Sequence, residues 1–93
     1  MTIKGLNFVK TCGACPEQYD VYNENHKIVG YVRLRWGRLS CEYPDVFGEE
    51  IYSVSIGDEL TGCFENQEDR DYHLNAIANR ILDKIKQSEK VGA

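Results

Sequence analysis

The sequence predicts an α+β fold: an antiparallel sheet of four to five strands in a meander, with one C-terminal amphipathic helix packed on one face. Two observations carry this. Residues 31–35 and 39–43 alternate apolar with polar side chains about Trp36-Gly37, the period of two expected of strands buried on one side. Leu74, Ile77, Ala78, Ile81, Leu82 and Ile85 recur at three- and four-residue spacing, which draws one apolar stripe along a helix. A one-faced sheet and a one-striped helix bury each other.

The elements follow in order. Residues 1–16 read as an irregular N-terminal segment punctuated by Gly5, Gly13 and Pro16. The sheet occupies 17–64, beginning with a strand from Gln18 to Tyr22. Asn23 to His26 is a turn, because Asn and His tolerate positive φ better than most residues. Ile28 to Arg35 is the clearest strand. With Trp36-Gly37 as a two-residue loop, Leu34 faces Leu39, Val32 faces Cys41, Arg33 faces Ser40 and Tyr31 faces Glu42. All apolar pairs then share one face, which fixes the register. Trp is a poor first residue for so tight a loop, but a one-residue slip would scramble the whole face.

Pro44-Asp45 ends that strand. Ile51 to Ile56 is a further strand, Gly57-Asp58-Glu59 a turn, and Leu60 to Phe64 a short final strand. The helix occupies 67–88, with Asn66 as N-cap and Asp69 three residues on. Glu68, Asp69 and Asp71 open it and Lys84 and Lys86 close it, matching the helix dipole. Gly92 lies just past its end. The whole chain, 1–93, reads as a single domain.

Charge is unevenly placed. The net charge is −4; residues 1–41 carry +3, residues 42–71 carry −9 and residues 72–93 carry +2. Such a chain is not expected to attract nucleic acid generally, because phosphate binding depends on clustered Lys and Arg. No apolar run approaches the ~20 residues that span a membrane. Residues 1–10 also lack the features of a secretory signal. The expected location is cytoplasmic.

Two constellations are candidates for function. Cys12-Gly13-Ala14-Cys15 is a CxxC motif, but Pro16 and an alternating segment follow it, not the long helix of a dithiol redox site. Cys12 and Cys15 could form one knuckle of a structural zinc site, with Cys41 and Cys63 completing four thiolates, or with His26 or His73 substituting. The plainer reading makes Cys41 and Cys63 small buried hydrophobes and leaves the N-terminal pair reduced or in a local disulfide. The second constellation is the outward face of the strongest hairpin: Tyr31, Arg33 and Arg35, with Trp36 and Arg38 near its tip. Trp, Tyr and Arg dominate the energetics of protein interfaces, and Arg beside aromatic residues on a sheet can also stack on bases. The structural alternative pairs these arginines across strands with Glu42 and neighbouring acids.

The run Glu65 to Asp71 lacks the ligand spacing of a calcium loop. No phosphate-binding glycine loop, dinucleotide fingerprint, nucleophile elbow or HExxH occurs. With no acid–base pair or nucleophile in evidence, a non-enzymatic protein is expected. The strings CGACPEQYDVY, GYVRLRWG, CEYPD and GCFE resemble a group of small uncharacterised proteins from phages and prophages of low-GC Gram-positive bacteria, over about residues 8–88. That resemblance carries no site residues. It implies a modulator that binds a host or defence protein. The expected function is protein–protein interaction or self-association through the Arg/Tyr face. Alternatives are a nucleic-acid-binding module and a small zinc-stabilised one.

Overall fold

The two-residue loop predicted for Trp36-Gly37 forms, with φ of 55° at Trp36 and 72° at Gly37. Both values are positive, as a type I′ turn requires. The cost of left-handed backbone at Trp36 is met by the register it sets: Leu34 opposite Leu39, Val32 opposite Cys41, Arg33 opposite Ser40 and Tyr31 opposite Glu42. A computed structural model describes residues 1–11, 16–58 and 60–91. Glu59, Gly92 and the Cys12–Cys15 motif lie outside the described residues.

Six strands, β1 (Thr2–Ile3), β2 (Leu6–Lys10), β3 (Glu17–Tyr22), β4 (Ile28–Arg35), β5 (Arg38–Tyr43) and β6 (Glu49–Ser55), pair antiparallel in sequence order. Helix α1 (Gln67–Val91) lies on one face. The meander and the C-terminal helix are as predicted, but the sheet has six strands instead of four to five.

The strand count differs at both ends. Residues 1–16 are not irregular: β1 and β2 form a second two-residue hairpin, with positive φ at Lys4 and Gly5. Leu6 and Phe8 alternate with Asn7 and Val9, and only the first pair is buried. The signal is a short strand pattern around Lys-Gly, masked by reading Gly5 as a break. Leu60 to Phe64, by contrast, is not a strand. Asp58 caps its own turn, accepting from the Leu60 N–H at 2.9 Å while its N–H donates to Thr61 Oγ1 at 3.0 Å. The segment then makes single anchoring bonds, the Thr61 carbonyl accepting from Gly37 N–H and the Gly62 carbonyl from Glu17 N–H, each at 2.7 Å. It is strapped across the sheet end that holds the β4–β5 loop.

The turn at Asn23 forms as predicted. Its side-chain oxygen accepts from the N–H groups of Asn25 and Lys27 at 2.9 and 3.0 Å, and His26 takes φ of 61°. Asn66 caps α1, accepting from Asp69 N–H at 2.8 Å. The predicted stripe is the buried one: Leu74, Ile77, Ala78 and Ile81 are fully buried against Phe8, Val21, Val32, Leu34, Leu39 and Cys41. The helix comes close because Gly30 has no side chain. A β-carbon there would lie 2.8 Å from Ile81 Cδ1.

Candidate interaction site

Alternation along β4 and β5 sends Val32, Leu34, Leu39 and Cys41 toward the helix and leaves Tyr31, Arg33, Arg35, Arg38 and Ser40 on the other side. Residues 6–10, as β2, extend the sheet edgewise and do not fold over this second face. Cross-strand neighbours form rows on it. Asp20, Tyr31, Glu42 and Glu50 make one row, Gln18, Arg33, Ser40 and Ser53 the next, and Arg35, Arg38 and Ser55 the last. The outer face is therefore acidic toward one end and basic toward the hairpin tip. Burial, followed by the nearby Asp45 charge, pushes the Asp20 carboxyl above its ordinary value.

At the basic end Arg33, Arg35, Trp36, Arg38, Ser40, Glu42 and Glu50 line a concavity of about 340 Å3. Four of the five residues singled out in the sequence thus meet in one place. Tyr31 does not line it; it sits one row away, between Asp20 and Glu42. The cross-strand pairing with Glu42 and neighbouring acids forms in part. Arg38 pairs with Glu50, the β6 neighbour of Glu42, and donates from Nε to Ser53 Oγ at 2.8 Å, whereas no arginine pairs with Glu42 among the described residues. Among the described residues Arg33 and Arg35 have no ion pair. Arg35 lies over the Trp36 ring, 5.6 Å from its centroid. A second, more apolar concavity of about 540 Å3 adjoins the first and is lined by Pro16, Arg35, Trp36, Leu60 and Gly62. Trp36 is 66% exposed and Leu60 79% exposed.

Cys41 and Cys63 are not placed as the second pair of a four-thiolate zinc site. Cys41 is a free thiol sealed in the core, and burial pushes it up to about 12. Cys63 is half-buried and disulfide-bonded, so it is not the small buried hydrophobe expected of it. Cys12 and Cys15 lie outside the described residues. His26 is exposed in its turn. His73 is held among aromatic rings, with its Nδ1 3.1 Å from the Tyr52 hydroxyl and its ring stacked on Phe64. Among the described residues no group of three His, Cys, Asp or Glu could hold a metal ion, and no helix is long and apolar enough to cross a membrane.

One charged cluster was not anticipated. Glu17 points into the covered face with a fully buried side chain. Arg70, at the start of α1, donates to both its oxygens, Nε to Oε2 at 2.7 Å and Nη2 to Oε1 at 3.1 Å. The Tyr19 hydroxyl and the Phe64 N–H complete the shell. Burial alone would raise the Glu17 carboxyl, but the bonds from Arg70, Tyr19 and Phe64 outweigh it and hold the group below its ordinary value. With both carboxylate oxygens satisfied, this cluster is a clasp that joins β3, the strap and the helix.

No protein-family model, curated protein or solved structure matches the chain.

Proposed function

We propose that the protein is a non-catalytic binding module that engages a protein partner through the uncovered sheet face at the β4–β5 hairpin. The observation that carries this reading is the concavity gathering Arg33, Arg35, Trp36 and Arg38. Exposed Trp and Arg are the residues most enriched among interface hot spots. Arg33 and Arg35 make no ion pair among the described residues and lie on the face that the helix leaves open. The resemblance to phage-borne proteins suggests a host protein as partner. Nucleic acid is less well supported, since the basic groups here are three arginines at one hairpin tip beside the row of Asp20, Glu42 and Glu50, and a phosphate backbone calls for a longer track of clustered cations.

Charge reversal tests the reading. The variant Arg33→Glu/Arg35→Glu should lose partner capture and self-association by at least about tenfold, equivalent to ~1.4 kcal/mol of binding. Quantitative mass spectrometry of proteins retained from host lysate, run beside sedimentation velocity, measures both. Unchanged retention and unchanged sedimentation in that variant would remove the sheet face as the binding surface.

A further inference from the structure

Two concavities meet at one pair of side chains. Arg35 and Trp36 line both the polar hollow on the sheet face and the apolar hollow toward Leu60 and Pro16. The polar hollow holds three arginines and two glutamates, and one arginine and one glutamate of these, Arg38 and Glu50, neutralise each other. Arg33 and Arg35 remain as cations without a carboxylate among the described residues. The apolar hollow is flanked by the two large side chains left most exposed near this end, Trp36 and Leu60. Exposed apolar side chains beside guanidinium groups that hold no carboxylate suit a docking site.

We propose that the site takes a short acidic segment of a partner protein, with one apolar side chain adjoining its carboxylates. The carboxylates meet Arg33 and Arg35, and the apolar side chain enters the hollow between Trp36 and Leu60. Charge complementarity selects this occupant. A basic segment would face two uncompensated arginines at a range where salt screens little, within the ~8 Å Debye length. A purely acidic segment would leave the apolar hollow wet. This inference rests on the reading of the sheet face as an interaction surface and adds the chemistry of the partner.

Trp36 is the sole tryptophan of the chain, so its emission reports directly on the junction of the two hollows. The probes are synthetic twelve-residue peptides without tryptophan: one of Asp and Glu around a single Leu-Phe pair, one with that pair replaced by Ser, and one with Lys in place of the acids. A twelve-nucleotide single-stranded DNA serves as a fourth. The acidic peptide with Leu-Phe should shift Trp36 emission to the blue and saturate. Its Ser version should bind about tenfold or more weakly, from the loss of buried apolar surface. Leu60→Ser should weaken the first peptide by a similar factor and leave the second unchanged. Equal binding of the Lys peptide, preference for the DNA, or no response to any acidic peptide would each overturn the proposal. If the peptides fail while Arg33→Glu/Arg35→Glu still loses its partner, only the acidic-segment chemistry falls. If that variant also keeps its partner, the sheet-face reading falls with it.

Discussion

Replacing Arg70 with Met should destabilise the fold by about 3–5 kcal/mol, because it leaves the Glu17 carboxylate buried without its partner. For a domain of this size each kcal/mol moves the melting temperature by roughly 4–8 °C, so the melt should fall by more than about 12 °C. The clasp is expected to dominate in this way because Glu17 is fully buried whereas the Arg70 side chain keeps 21% exposure; the arginine can find water, the carboxylate cannot. The double replacement Glu17→Leu/Arg70→Met should cost clearly less than the sum of the two single ones, since it removes both charges and leaves nothing unpaired. Urea unfolding of the four proteins checks the cycle. The pH dependence follows from the same groups. A carboxyl held low in the folded state contributes stability that is present above its unfolded value, near 4.5, and lost as pH falls through the folded value. Burial, then the Glu17 carboxylate, pushes the Tyr19 phenol above 10.0, so its contribution is present below that value and lost as pH rises through the folded one. Between these limits the clasp contributes fully. Glu17→Gln should therefore show a shallower loss of stability between about pH 5 and pH 3 than the unaltered protein.

Leu39→Ala should cost about 2–5 kcal/mol. Leu39 is fully buried on β5 beneath the helix, opposite Leu34 on β4 and Val54 on β6. Its cavity cannot close easily, because β4 and β6 fix the neighbouring strands and α1 fixes the roof. Ser40, the next residue on the same strand, faces the other way, between Arg33 and Ser53. Ser40→Ala should change stability by no more than about 0.5 kcal/mol. Denaturant midpoints of the two variants, compared at constant slope, give the difference. Adjacent residues of one strand thus differ several-fold in energetic weight, by facing alone.

The β4–β5 register was legible because one face is wholly apolar, and that constraint outweighed an unfavourable Trp in the turn. The helix was legible for the same reason, through Leu74, Ile77 and Ile81. The first hairpin was missed because β1 has two residues and β2 five, too short for alternation to stand out around Lys4-Gly5. Leu60 to Phe64 misled in the opposite direction. Its apolar residues mark an exposed edge at Leu60 and a core plug at Phe64, and not one strand face. The clasp could have been found. Glu17 falls in phase with Tyr19 and Val21 on the apolar face of β3, and Arg70 falls four residues before Leu74 in the helix stripe. Opposite charges that both land on buried phases of different elements point to each other. At the candidate site, strand phase placed Arg33 and Arg35 on the open face. Alternation alone does not reveal that Arg38 takes Glu50, nor that Leu60 joins Trp36, because both depend on how distant segments meet.

The division of labour between the two faces of the sheet is tested most directly by urea unfolding of Arg33→Ser/Arg35→Ser. With the covered face and the Glu17–Arg70 clasp intact, its free energy of unfolding should stay within about 1 kcal/mol of the unaltered protein. A loss of about 3 kcal/mol or more, on the scale expected for Arg70→Met, would show that the open face holds the fold together and would contradict its assignment as a surface free to bind.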